Sequence, residues 1–326
     1  MATIFRQCFF IPKPSLTEQN LFDQTGKVHI VTGGYAGCGL QLTKILYQKN
    51  ATVYVAGRSP DKAAGAISSI IQQCPESKGR LEFLKLDLAD QASIKESAEE
   101  FMSKEQRLDV LTNNAGIMVI ETDRKDAQSH DIHLGTNCLG PFLFSELLLP
   151  VLRRTAVSSP PGSIRVTWAS SLAAVFAAPR HGIEFEADGS PKVGDVHTNY
   201  GISKAGCWFL AAEFARRYGR DGIVSNAWNP GNLTSELQRE VGTLLNLLTR
   251  ILLYPAVYGA YTELYAGWSP DLTLENNGAY IYPWGRIGTD TLRADLIAAL
   301  RSKEDGGTGE AGKFWDWCDK ETRQFR

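Results

Sequence analysis

Neither sign of charge dominates this chain: 34 Lys and Arg stand against 36 Asp and Glu, for a net charge of −2. Nothing in that balance draws it to nucleic acid or to an anionic membrane surface. Cysteine is sparse and scattered. The six, at positions 8, 38, 74, 138, 207 and 318, form no close pair, which argues against a thiol-paired zinc site or a disulfide frame and points to a reducing compartment. The five histidines include no pair at i, i+4, so no metal is expected. Long apolar runs are lacking too. Cys8 to Ile11 is followed at once by Pro12 and Pro14, too short for a signal-peptide core or a membrane span. Residues 1–24 therefore read as a loosely attached leader, and the expected location is cytoplasmic. No internal repeat or low-complexity tract interrupts the chain.

What the chain does have is a hydrophobic fraction of 43% over 326 residues, enough to bury a sizeable core. Lys27 to Thr32 is a short β-rich run ending in Gly33-Gly34-Tyr35-Ala36-Gly37-Cys38-Gly39, and Leu40, Leu42, Ile45 and Leu46 follow at helical spacing. A strand, a glycine loop and a helix in that order make a phosphate cradle. Glycines let the backbone approach a pyrophosphate, and the free N–H groups of the helix end attract its charge. Gly33, Tyr35, Gly37, Cys38 and Gly39 are the loop's expected cofactor contacts. Oxidation of Cys38, a packing residue, would put a polar group beside the phosphates, so redox sensitivity is kept as an expectation there.

The second strand, Ala51 to Gly57, ends at Arg58-Ser59, where NAD-binding folds usually carry an acid for the ribose hydroxyl. A guanidinium suits a 2′-phosphate instead, which argues for NADP. Asp61 is the nearest acid and lies in the start of the next helix. Further strands, Leu81 to Leu86 and Leu108 to Thr112, run into Asp87-Leu88 and Asn113-Asn114-Ala115-Gly116, with helices at Ala63 to Gln73 and Ser93 to Met102. Such alternation builds a parallel sheet covered on both faces, whose ligands collect at the carboxyl ends of the strands. The expected fold is α/β, a doubly wound parallel sheet of Rossmann type in a single domain, residues 25–300.

Thr136 to Leu149 reads as one strongly apolar helix, with Asn137 near a break at Gly140-Pro141. Ser163 to Trp168 is a fifth strand, ending at Ser170-Ser171. Asn199-Tyr200-Gly201-Ile202-Ser203-Lys204 places a phenol and an ammonium one helical turn apart on one face. A phenol in water keeps its proton to pH ~10, and a nearby ammonium that stabilises the phenolate makes it a usable acid near neutrality. Gly222 to Trp228 is a sixth strand, followed by Asn229-Pro230-Gly231-Asn232-Leu233-Thr234-Ser235.

Taken together, Thr32-Gly33-x-x-x-Gly37-x-Gly39, Asp87-Leu88, Asn113-Asn114-Ala115-Gly116, Asn137, Ser170-Ser171, Tyr200-x-x-x-Lys204 and Pro230-Gly231 resemble the short-chain dehydrogenase/reductase family, over roughly residues 24–300. The resemblance implies hydride transfer between a nicotinamide and a carbonyl or alcohol. By it, Tyr200 protonates the carbonyl oxygen, Ser171 positions that oxygen, Lys204 holds the nicotinamide ribose and lowers the phenol's pKa, and Asn137 fixes a water in the proton relay. The residues alone do not separate Ser170 from Ser171; the family pattern prefers Ser171. Leu233 and Ser235 are implied to touch the nicotinamide amide and the diphosphate.

The 28 residues from Leu172 to Asn199 exceed what compact members use and read as a long loop over the site. They resemble insertions of the retinol-dehydrogenase-like branch and of fungal NADP-dependent reductases, which implies a bulky or lipophilic substrate. Leu244, Leu247, Leu248, Ile251 and Leu252 recur at helical intervals before Pro255: a core helix, a lid over an apolar pocket, or a shallow lipid contact. A helix at Tyr258 to Trp268 and a last edge strand and turn at Gly278 to Arg286 complete the domain. Residues 301–326 read as a tail, a polar linker around Gly306-Gly307-Thr308-Gly309 and an aromatic knot, Phe314-Trp315-Asp316-Trp317, that docks on the body.

The expected function is an NADP-dependent carbonyl reductase or alcohol dehydrogenase for a lipophilic small molecule, suited to biosynthesis, with a homodimer as the assembly considered. Two other uses of the same parts stay open. One is non-redox acid–base chemistry such as isomerisation or cyclisation. The other is a cofactor-binding sensor or scaffold, against which the intact set of Tyr200, Lys204, Ser171 and Asn137 speaks.

Overall fold

The structure, a computed structural model, describes residues 7–121, 123–233 and 253–326. Strand β1 (Val28–Thr32) leads into helix α1 (Gly37–Gln48), β2 (Thr52–Gly57), α2 (Pro60–Gln73), β3 (Arg80–Lys85), α3 (Gln91–Lys104) and β4 (Val110–Asn113). Helices α4 (Gly140–Leu147) and α5 (Leu149–Val157) then precede β5 (Ile164–Ala169). A short α6 (Ala173–Phe176) and the long α7 (Val196–Tyr218) lead to β6 (Ile223–Trp228). After α8 (Ala256–Trp268) come β7 (Tyr280–Tyr282), β8 (Arg286–Ile287), α9 (Ala294–Leu300) and α10 (Glu310–Thr322).

The strands lie in the order β3-β2-β1-β4-β5-β6-β7-β8, parallel throughout except for β8. Strands β1, β4, β5, β6 and β7 are buried along their whole length, as a sheet covered by helices on either side requires. Alternation sorts them: Ile30, Tyr54 and Leu111 point into the layer built by α3, α4 and α7, while Val31, Val53 and Val110 point to α1 and α8. The stretch from Gly278, expected as the sheet's edge, instead supplies the seventh strand, and β8 turns back antiparallel to close the edge.

The apolar helix expected from Thr136, with a break at Gly140-Pro141, is interrupted there and once more before Pro150. Gly135–Leu139 is a π-helical turn, α4 starts with Pro141 in its first turn, and α5 starts again with Pro150. A proline has no N–H to give the preceding turn, so the bonding widens to a π-turn before Pro141 and the axis bends by 50° before Pro150. Among the described residues no single helix is long and apolar enough to cross a membrane. The bent pair Ile132–Leu147 and Leu149–Val157 passes by length and composition, yet Leu139, Phe142, Leu143, Phe144 and Val151 are fully buried in the core.

The leader is more deeply engaged than a loosely attached segment would be, and the aromatic knot at the other end docks on the body. In the leader, Leu21 is buried among Val31, Leu42 and Leu264, and the Gln24 side chain accepts a hydrogen bond from Trp268 Nε1 at 3.0 Å. The 301–326 segment forms α10, whose Phe314, Trp315 and Cys318 join the core on α7. Gly206 makes that approach possible, since a Cβ there would lie 2.6 Å from the Phe314 ring.

Arg165, on β5, is buried at 6% exposure without a carboxylate partner among the described residues. Its guanidinium donates to the carbonyls of Gly162, Ala266, Ser269 and Leu272, which gathers the carboxyl end of α8 onto the sheet. Burial lowers its pKa to about 10, which leaves it charged at neutral pH. Arg165→Leu strands those carbonyls in an apolar setting and is expected to lower the unfolding free energy by about 3 kcal/mol. Urea unfolding would read this, and a loss below about 0.5 kcal/mol would contradict the role.

Candidate active site

The strand order reverses between β1 and β4, and at that switch the carboxyl ends of the strands open on a cavity of about 1390 Å³. One end is the glycine loop. Gly33 and Gly37 adopt left-handed φ of +68° and +53°. A Cβ on Gly39 would come within 2.8 Å of the Gly33 carbonyl, so the loop can close only with glycine there. The N-terminus of α1 carries no side-chain cap and no acid in its first turn, so its N–H groups are open to an anion. Tyr35 lies over Gly57, where any side chain would overlap its ring, and Cys38 lines the same wall.

Cys38 packs against α8. A Cβ at Gly259 would meet its Sγ, and burial, with Glu263 behind it, pushes the thiol well up. That favours the inert thiol over the reactive thiolate and weighs against the oxidation sensitivity expected there. Glu263 itself is fully buried, neither carboxylate oxygen has a partner among the described residues, and burial alone pushes its carboxyl well up.

Beyond the loop, Arg58 lines the cavity at the end of β2, exposed and with no ion pair among the described residues. Lys62 and Lys44 line this end as well, two cations that motif reading passed over because they sit on helix faces. Ser59 has a different task. Its hydroxyl accepts from the Lys62 N–H at 3.3 Å as the cap of α2, and it is not on the cavity wall. Asp87 and Leu88 line the wall, with Asp87 Oδ1 accepting from the Ala89 N–H at 3.0 Å.

The run after β4 divides its labour. Asn114 donates to the Thr32 carbonyl at 2.7 Å and the Ala115 N–H to Thr32 Oγ1 at 2.9 Å, which ties this turn to the glycine loop. Asn114, Ala115 and Gly116 line the cavity. Asn113 faces the core and donates to Ser145 Oγ at 3.0 Å.

Tyr200 and Lys204 both reach the cavity from α7, whose N-terminus is capped by Asp195. Lys204 is nearly buried, donates to the Ala169 carbonyl at 3.0 Å and lies 5.6 Å from the centre of the Tyr200 ring. Gly116 packs closely opposite, where a Cβ would lie 3.1 Å from Lys204 Nζ and 3.2 Å from Asn137 Oδ1.

Ser170 and Ser171 both line the cavity; Ser171 is half-buried, whereas the Ser170 hydroxyl is buried and donates to the Lys204 carbonyl at 2.7 Å. Asn137, in the π-turn, lies behind the wall. It accepts from the Ile117 N–H at 2.8 Å, and its Nδ2 donates to the Ile117 carbonyl at 3.0 Å and to Ser203 Oγ at 3.1 Å. Cys207 donates to the Asn137 carbonyl at 3.3 Å, so α7 and the π-turn are bound together.

Pro230, Gly231 and Leu233 line the far end of the cavity. Ser235 and the apolar stretch Leu244 to Leu252 lie outside the described residues. The catalytic end also has an apolar wall of Ile117, Met118, Phe176 and Leu253. Phe176 belongs to the insertion read as a long loop, which holds α6 and a bridge between Phe185 and Pro191. Its nearness to Ser171 in sequence was the one signal that could have singled it out.

Residues 27–179 match the family model described as short chain dehydrogenase. Short-chain dehydrogenase/reductase bet4 of Neocamarosporium betae is 45% identical over 321 residues, 97% of this chain and 92% of the relative. A short-chain dehydrogenase/reductase of Phomopsis amygdali is 44% identical, also over 321 residues, 97% of this chain and 95% of its own. Among solved structures, the NADPH-bound carbonyl reductase from chicken fatty liver shares the fold, with a TM-score of 0.63 and 20% identity over 84% of this chain and 98% of that one. With such identity to two relatives along nearly its whole length, and with the family's motifs gathered on one sheet edge, this chain belongs to the short-chain dehydrogenase/reductase family.

Proposed function

We propose that this oxidoreductase uses NADP to reduce a carbonyl group of a lipophilic small molecule, or to oxidise the corresponding alcohol. The observation that carries the reading is that Tyr200, Lys204 and Ser171 share one cavity with the glycine loop and Arg58. The residues fit a nicotinamide dinucleotide: the glycines leave the space that side chains would fill, and the open helix end suits a diphosphate. Arg58, with Lys62 near it on the wall, supports a 2′-phosphate at the adenosine end, and the Pro230–Leu233 loop supports the nicotinamide end.

When bound, the reduced nicotinamide supplies a hydride. The chain's own residues manage the oxygen on which charge then builds. Tyr200 gives its phenol proton to that oxygen and the Ser171 hydroxyl donates a hydrogen bond to it. Ser171 is favoured over Ser170 because the Ser170 hydroxyl is already committed to the Lys204 carbonyl. Lys204, tethered to Ala169, brings positive charge to the phenol and reaches toward the ribose. Asn137, its side chain anchored on the Ile117 backbone and on Ser203, fixes a water in the proton relay. The apolar wall of Ile117, Met118, Phe176 and Leu253 supports a lipophilic substrate.

The direct test is the fall of NADPH absorbance across a panel of lipophilic aldehydes and ketones; no turnover on any of them, with the cofactor bound, would turn the reading toward non-redox chemistry. The cofactor choice has its own test. Arg58→Ala is expected to weaken NADPH binding by roughly 30-fold, the loss of a charge-assisted pair, and to leave NADH nearly unchanged. An unaltered ratio of the two affinities would remove Arg58 from cofactor selection.

A further inference from the structure

The loop that closes the nicotinamide end is held from beneath by residues far from it in sequence. Asn229 Oδ1 accepts from the Gly231 N–H at 3.1 Å, which sets the turn in which Gly231 has a left-handed φ of +86° and lines the cavity. The other end of the same amide, Asn229 Nδ2, donates to Gln7 Oε1 at 2.7 Å, across 222 positions of chain. Both side chains are buried, Gln7 at 1% and Asn229 at 3%. The next residue, Cys8, faces the Asn232 side chain. From the opposite side the Tyr254 N–H donates to the Asn232 carbonyl at 2.9 Å, and the Tyr254 ring packs on Trp284.

Gln7 leaves its own Nε2 buried and without a partner among the described residues. An apolar side chain of similar length would avoid that penalty, so packing alone does not account for a glutamine at this position. The acceptor oxygen does account for it. Without Gln7 Oε1, Asn229 Nδ2 would be an orphaned buried donor, and the amide could turn to find water and release the Gly231 N–H.

We infer that the N-terminal segment is part of the coenzyme site, with Gln7 a positioning residue that sets the Asn229–Leu233 loop through the Asn229 amide. The inference rests on the proposed orientation of the dinucleotide, nicotinamide toward that loop and adenosine toward Arg58. The adenosine end can therefore be probed separately. Gln7→Leu in the full chain is expected to raise the dissociation constant of NADPH by about tenfold while that of 2′,5′-ADP, which reaches only the Arg58 end, stays within about twofold. Calorimetric titration of both ligands reads this directly. Equal weakening of both would show a merely structural contact and overturn the inference, and so would unchanged NADPH binding. Failure of 2′,5′-ADP to bind the unaltered protein is a separate result: it would overturn the dinucleotide orientation itself.

Discussion

Tyr200→Phe is expected to lower kcat by about a thousandfold while NADPH affinity stays within about threefold of the unaltered protein. The size follows from the role. A positioned general acid contributes roughly 10² to 10⁴ in rate, and a thousandfold loss corresponds to about 4 kcal/mol on the barrier. The substitution removes only the hydroxyl from a half-buried ring on the cavity wall, and no hydrogen bond among the described residues is lost with it. Folding and cofactor binding should therefore survive, and the loss should appear in turnover at saturating substrate. Steady-state kinetics with a cofactor titration on the same preparation separates the two. Full activity in this variant would take the proton-donor role away from Tyr200.

Glu263 yields the largest expected change in stability. A carboxyl ordinarily titrates near pH ~4.3, and burial without a partner pushes this one well above that. Above the ordinary value the unfolded chain has already released this proton while the folded chain still holds it. The folded state thus binds more protons, and stability falls as pH rises, by more than about 1 kcal/mol per unit, until the pH reaches the folded value. Glu263→Gln keeps the size and removes the titration. Above the ordinary carboxyl range it is expected to raise the unfolding free energy by an amount that grows with pH up to the folded value, and at pH 5 to change it little. A series of thermal or urea unfolding curves from pH 5 to pH 9 is the check. If the unaltered protein lost no more stability with rising pH than the Gln variant, the carboxyl would have to be paired or solvated after all.

The two predictions differ in how far the sequence anticipates them. Tyr200 and Lys204 are legible because one helical turn determines that they share a face, whatever the helix packs against. The glycine loop is legible for a similar reason: a strand, closely spaced glycines and an amphipathic helix leave few other conformations. Glu263 offers no such signal. On a helix written in sequence it could be a solvated face, and only the packing of α8 against α1 makes it a buried acid.

Near the site the same distinction recurs. Asn113 and Asn114 are adjacent and alike, yet alternation along the end of β4 sends one into the core toward Ser145 and the other to Thr32 and the cavity. Arg58 and Ser59 part for a local reason, since Ser59 is consumed in capping α2. Ser170 and Ser171 are equivalent in composition, and what distinguishes them is the Lys204 carbonyl that lies within reach of one hydroxyl and not the other.

By itself, then, the order of residues determined the alternating strands and helices, the phosphate loop, the tyrosine–lysine pair and the family they resemble. Each depends on contacts within a few residues, or on hydrophobic periodicity that any sheet covered on both faces must satisfy. The tertiary structure alone decided which serine hydroxyl is committed to the Lys204 carbonyl, which asparagine meets the cavity, how deeply Glu263 and Arg165 are buried, and that Gln7 and Phe314, from opposite ends of the chain, come to rest against Asn229 and against α7. Those outcomes arise when elements distant in sequence compete for the same space, and burial and hydrogen bonding between them are settled only once the layers have closed.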